Sequence, residues 1–167
     1  MRYRLHVVAA TVVDVVNFAG GWLFDRAMAG WDVTVLVADH PDDRPLQILG
    51  ARVLDLENAL SSVEDRPRPQ ALAAAADLFG CDARVRQGVL QALDHGATEV
   101  TLWGDACPAE LGESVSLVQH RLSMAAGIFK SQALAAARVP HGSIGHTEIF
   151  RSGLLAWPSV AADLVPA

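Results

Sequence analysis

The run from Leu5 to Val13, LHVVAATVV, is almost unbroken in apolar and β-branched side chains. Branching at Cβ favours extended backbone. A run without polar alternation needs cover on both faces, the condition of a central strand in a parallel sheet. The next residues supply the crossover. Asn17 can cap a helix through FAGGWLFDRAMAG, in which Leu23 and Ala27 share a face, Asp25 and Arg26 look outward and Gly30 ends the helix. DVTVLVA from Asp32 is then a second strand. Strand, helix and strand at this spacing imply a right-handed crossover and a parallel pair. The fold class expected is α/β, a three-layer Rossmann-like sandwich with a mainly parallel sheet.

The remaining segments extend that pattern. RPLQILGA reads as a short helix, RVLDL from Arg52 as a third strand, and NALSSVEDRPRPQ as a turn-forming, charged loop. QALAAAADLF reads as a helix stopped by Gly80, followed by a second helix from Asp82 with Val85, Val89 and Leu93 at helical spacing before Gly96. EVTLW from Glu99 is a fourth strand leading into the loop GDACPAELGES. The stripe Val118, Leu122, Ala125 and Phe129 predicts a long helix over residues 115–138, ended by Pro140. The expected organisation is one domain over residues 1–153 with an apolar tail, residues 154–167, packed on the body or on a neighbouring subunit. No internal repeat is visible.

Composition narrows the partners. The chain has 167 residues, of which 51% are hydrophobic and 19% charged, with mean hydropathy +0.26. That is apolar for a monomer of this size and predicts a homo-oligomer. A net charge of -6 and a pI near 5.4 disfavour nucleic acid. Two cysteines, Cys81 and Cys107, fit neither a disulfide framework nor a paired zinc spacing, which suits a reducing cytoplasm. The start resembles a signal peptide in its apolar run, but His6 and Asp14 interrupt it. No apolar run reaches the roughly 18 residues of a membrane span.

The stretch RLHVVAATVVDVVNFAGGWLFDRAMAGWDVTVLVAD, with EVTLWGD, FKSQALAAA and HTEIF in the same order downstream, resembles the PIG-L or LmbE-like N-deacetylases. In that family the loop after the first strand reads His-Pro-Asp-Asp-Glu; the His and second Asp bind zinc and the first Asp is the general base. Laid on without gaps, this chain has Thr11 at the ligand histidine, Val13 at the base and Asp14 at the remaining ligand. The family's downstream histidine motif has no clear counterpart, and the chain is shorter than a full member. A catalytic zinc needs three protein ligands and an open position for water, and a missing general base typically costs 10²- to 10⁴-fold in rate. The resemblance therefore implies the fold together with a degenerate zinc motif, and no metal is expected.

A displaced His-Pro-Asp-Asp occurs at residues 40–43, after the second strand. If a metal is bound, Asp14, His40 and Asp43 are its candidate ligands, with His120 or His146 as a distant third nitrogen; Asp42 and Asp43 are the candidate catalytic carboxylates. The preferred reading is that Asp42 or Asp43 caps the next helix, with Pro45 in its first turn. Candidate ligand-binding residues are Asp14, Gly20, Gly21, His40 and Asp105. The two glycines either admit a ligand at a helix start or allow close helix packing. The four tryptophans could stack on sugar rings, but most are read as core or interface, and Lys130 is read as solvated. Three functions follow, in order of preference. The first is a pseudoenzyme that binds a sugar-like small molecule or a protein partner. The second is a zinc-dependent deacetylase of N-acyl amino sugars with a relocated metal. The third is a nucleotide or nucleotide-sugar binding module, though the three-glycine fingerprint is missing.

Overall fold

The computed structural model describes residues 2–62, 67–105, 108–112, 114–153 and 162–167. Its elements are β1 (Arg4–Thr11), α1 (Val12–Met28), β2 (Asp32–Asp39), α2 (Arg44–Ile48), β3 (Arg52–Asp55), α3 (Leu56–Ser61), β4 (Ala71–Ala75), α4 (Ala76–Cys81), α5 (Ala83–His95), β5 (Glu99–Trp103), a 3₁₀ turn (Ala109–Leu111), β6 (Ser116–Arg121), α6 (Met124–Ala136), β7 (Thr147–Gly153) and β8 (Val165–Pro166). The strands form one sheet in the order β3-β2-β1-β4-β5-β7-β6-β8. From β3 to β5 every pairing is parallel, and β7, β6 and β8 add antiparallel ladders. The chain runs from β1 out to β3 and returns to β4 on the other side of β1. The strand order therefore reverses between β1 and β4, where open α/β sheets place their ligand crevice.

β1 is central, as its composition requires. Leu5, Val7 and Ala9 are fully buried, and they sit level with Val33, Val35 and Val37 of β2. The alternate residues of β2, Thr34 and Leu36, are only half-buried, so the helices close one face of this end of the sheet more fully than the other.

Helix α1 starts earlier than its sequence suggests. Thr11, at φ −133 and ψ 154, is the N-cap, and its hydroxyl accepts the Asp14 N–H at 3.2 Å. Burial of Val12, Val15 and Val16 outweighs the modest helix propensity of valine. Gly20 and Gly21 therefore lie roughly two turns inside the helix. A Cβ at Gly21 would come within 2.3 Å of Leu122, so this glycine is what lets the chain after β6 approach α1.

Two other expected helices divide into a strand and a helix. Ala71–Ala75 is β4, between β1 and β5. Alanine favours a helix in isolation, but its small side chain also suits the most crowded strand, and packing decides. The expected helix over residues 115–138 is β6 followed by α6. Val118 pairs with Phe150 of β7, and Ser123 caps α6 by accepting the Ala126 N–H at 3.0 Å. Part of the expected loop at 58–70 is helical, in α3.

Charged groups fill the middle of the molecule. Arg26, read from the sequence as outward-facing, is 1% exposed. Its Nη2 donates to Glu99 Oε1 at 2.7 Å and to Asp163 Oδ1 at 2.8 Å, and its Nε donates to Asp163 Oδ2 at 2.8 Å. The guanidinium lies 4.5 Å from the Trp22 ring and 4.4 Å from the Trp31 ring. Lys130 is likewise buried rather than solvated. It donates to Glu148 Oε2 at 2.7 Å and to the Asn17 carbonyl at 2.8 Å, while Glu148 accepts the N–H groups of Gly21 and Trp22 in mid-helix. Asp25 accepts from Ser123 N–H and Oγ, and it contacts His120 Nε2 at 2.8 Å. These pairs join α1 to β5, β6, β7 and α6. Of the tail, residues 154–161, with Trp157 and Pro158, lie outside the described residues. The end of the tail packs on the body through Asp163 and through β8 on the edge of β6. No helix among the described residues is long and apolar enough to cross a membrane.

Candidate functional site at the carboxyl edge of the sheet

Parallel strands deliver their C-terminal residues to one edge, so Thr11, Asp39, Asp55, Ala75 and Trp103 all arrive there, each followed by a loop or a helix start. Asp14 enters from the first turn of α1. Its Oδ2 accepts the Trp103 indole N–H at 3.1 Å, a bond that spans the position of β4. Around this bond is a pocket of about 300 Å³, lined by Asp14, Phe18, Ala76, Asp77, Trp103 and Asp105. It lies across the reversal of strand order, and its size suits a ligand no larger than a single sugar ring. Burial pushes the Asp14 carboxyl above its ordinary value, the Trp103 N–H opposes this, and the neighbouring Asp77 adds to the rise. Asp105 is exposed at the rim, after Gly104, whose φ of +123 turns the chain sharply out of β5. Cys107 lies outside the described residues.

His40 belongs to the other half of the edge. Its Nδ1 lies 3.2 Å from Asp43 Oδ1 and its Nε2 lies 3.1 Å from Asp55 Oδ1, so the ring bridges the ends of β2 and β3. Asp55 is the main cause of a rise in the His40 pKa, with Asp43 contributing. Asp42 is occupied by Arg44, taking its N–H at 3.1 Å and its Nη2 at 2.8 Å; these bonds hold the Asp42 carboxyl below its ordinary range. The helix start is therefore served differently from the expectation. Asp43 stands at the N-cap of α2 without a side-chain cap bond, and the carboxylate on a backbone N–H is that of Asp42.

Of the conditional ligand set, His40 and Asp43 are in contact, while Asp14 bonds instead to Trp103 of β5 and does not complete a group of three with them. His120 is buried between Asp25 and the Asp163 carbonyl, and His146 lies exposed before β7. Among the described residues no group of three or more His, Cys, Asp or Glu is arranged to hold a metal ion. The residues at the end of β1 point the same way. The Thr11 hydroxyl caps α1, Val13 is 40% exposed with no donor to offer, and the Asp14 carboxylate is shared with an indole. These residues do not fit a catalytic zinc, which needs three donors and a water position. Gly20 and Gly21 are buried in mid-helix, away from the free N–H groups at the start of α1, so they do not stand at a helix start.

Sequence reasoning missed Asp77 and Phe18 as pocket walls and misjudged Lys130. Asp77 was hidden inside an alanine-rich segment read as one helix. The signal for Lys130 was Glu148, the only acid in HTEIF, which needs a cation once its strand is buried.

No protein-family model matches the sequence, and no curated protein matches it. Solved structures do. The A40926 pseudoaglycone deacetylase Dbv21 superposes with a TM-score of 0.59 at 16% identity, over 90% of this chain and 97% of that one. A deacetylase of the teicoplanin biosynthetic pathway, solved with teicoplanin, gives 0.56 at 15% identity over 89% and 98%. The 4-carboxy-2-hydroxymuconate hydratase GalB from Pseudomonas putida KT2440 gives 0.55 at 14% identity over 95% and 98%. The agreement over nearly the whole length, in a mixed and mostly parallel eight-stranded sheet, assigns the chain the α/β fold of the LmbE/PIG-L-like deacetylases.

Proposed function

We propose that this chain is a binding protein on a deacetylase fold, a pseudoenzyme that takes a small sugar-like ligand at the carboxyl edge and does not hydrolyse it through zinc. The observation that carries the reading is the state of the end of β1, where one hydroxyl caps a helix, one valine faces solvent and one carboxylate is tied to an indole. The pocket beside it has the elements of sugar recognition. Trp103 and Phe18 offer apolar ring surface, and Asp14, Asp77 and Asp105 offer acceptors for hydroxyl or ammonium donors. That two of the superposed structures are deacetylases and a third is a hydratase supports the fold and leaves the chemistry to the side chains.

Self-association belongs to the same proposal, supported by Met124, Ile128 and Phe129, which stand exposed on α6. So does a cytoplasmic setting. The test is calorimetric titration with glucosamine and N-acetylglucosamine, with acetate release followed in parallel. The expected result is saturable binding without acetate release, weakened by about 1.5–3 kcal/mol in Asp14→Ala, the range for a hydrogen bond to a charged group. Acetate release that depends on Asp14 would overturn the proposal.

A further inference from the structure

A wide concavity lies away from the carboxyl edge, at the beginnings of the strands. It is an open concavity of about 850 Å³, lined in part by α1 and α6 through Phe24 and Phe129 and in part by Arg4, His6, Asp32 and Arg52 of the strands, with Thr34, Leu36 and Leu54 beside them. The register explains why these residues share it. His6 lies level with Thr34, and Thr34 with Arg52, so the three form a row across β1, β2 and β3. Arg4 is two residues before His6, on the same face. Leu36 and Leu54 form the next row. In a parallel sheet both faces are normally covered. Here Leu54 and Arg52 stand exposed, and Thr34 and Leu36 are half-buried, so among the described residues the face at this end is not fully covered.

The charges in the groove run against those of the whole protein. In a chain of net charge -6, five arginine side chains are engaged with acids: Arg2 with Asp32, both of which also line the groove, Arg26 with Glu99 and Asp163, Arg44 with Asp42, Arg84 with Glu57 and Asp82, and Arg86 with Glu110. The guanidiniums of Arg4 and Arg52 make no ion pair among the described residues. By strand geometry their backbones are about 10 Å apart across the sheet and about 7 Å apart along it, a separation that two arginine side chains can close onto one anion. A guanidinium fork matches a carboxylate or another planar oxyanion, and the leucine row beside it accepts an apolar body.

We propose that the strand-start groove is a second binding site, for a small organic anion whose charged group sits between Arg4 and Arg52 and whose apolar part lies on Leu36 and Leu54. The site is separate from the Asp14 pocket and does not depend on the function proposed for it.

The test is calorimetry on the full chain with 2-naphthoate and its neutral counterpart 2-naphthamide. The native protein binds 2-naphthoate, and binds 2-naphthamide far more weakly. The double variant Arg4→Gln/Arg52→Gln loses at least about tenfold in affinity for 2-naphthoate, the scale of one charge-assisted hydrogen bond. A control with the same change in net charge, Arg44→Gln/Arg121→Gln, binds like the native protein; its positions lie outside the groove. The proposal fails if the native protein does not bind 2-naphthoate, if both probes bind equally, if the groove variant keeps its affinity, or if the control loses as much. All four positions are at least partly exposed, so the variants are expected to fold, and circular dichroism checks that they do.

Discussion

The two ends of α1 use polar residues in opposite ways. From Gly20 to Arg26 the helix meets a dense set of buried, paired groups: Glu148 and Lys130 on its backbone, and Arg26 between Glu99 and Asp163. At its start, where the family resemblance places a zinc site, there are a capping threonine, an exposed valine and one carboxylate on an indole. Buried charge is costly and persists only when it is paired. In this protein the buried paired charge holds elements together, whereas the charge pairs at the carboxyl edge, His40 with Asp43 and Asp55 and Arg44 with Asp42, are partly exposed. The residues that hold the fold together and those at its carboxyl edge are thus different residues of the same helix.

If that contrast is right, substitutions in the middle of α1 act on stability and those at its start act on ligand. The largest effect is expected from Arg26→Ala. It leaves Glu99 buried without its cation, and breaking a buried pair typically costs about 3–5 kcal/mol; urea unfolding checks this. Glu148→Ala comes next, at about 2–4 kcal/mol. It strands Lys130 and removes the acceptor of two mid-helix N–H groups. A loss below about 1 kcal/mol in either variant, the scale of a surface pair, would break the comparison.

The smallest effect sharpens it, through the sign of a pH dependence. The pKa of Asp14 is raised in the folded state, chiefly by burial. Between the ordinary carboxylate value of 3.8 and that raised value the folded chain binds more protons than the unfolded one. The contribution of Asp14 to stability is thus complete below the lower value and is lost as pH rises through the upper one. Asp14→Asn, which keeps an acceptor for Trp103, is therefore expected to match the native protein in acid and to melt slightly higher at neutral pH. A variant less stable at neutral pH would mean that Asp14 is a structural ion rather than a strained one.

Legibility in the sequence followed how local each cause was. LHVVAATVV announced a central strand because burial on both faces demands an apolar run, and DVTVLVA announced its parallel neighbour. Ala71–Ala75 and Ser116–Arg121 were misread as helix because their extended state comes from strands distant in sequence: β1 and β5 for the first, β7 for the second. The same holds for charges. Arg26 carries no local sign of burial, since its partners lie 73 and 137 residues away. At the site, the presence of Thr11, Val13 and Asp14 at the end of the first strand could be read directly. The separation of Asp14 from His40 could not, because it depends on Trp103 and Asp55 drawing them in opposite directions.

The most direct measurement is zinc content after equilibrium dialysis against the free metal, comparing the native chain with Asp14→Ala and His40→Ala. The account predicts that all three retain equally little, below one zinc per chain. One tightly held zinc per chain, lost on substitution of Asp14 or His40, would contradict it.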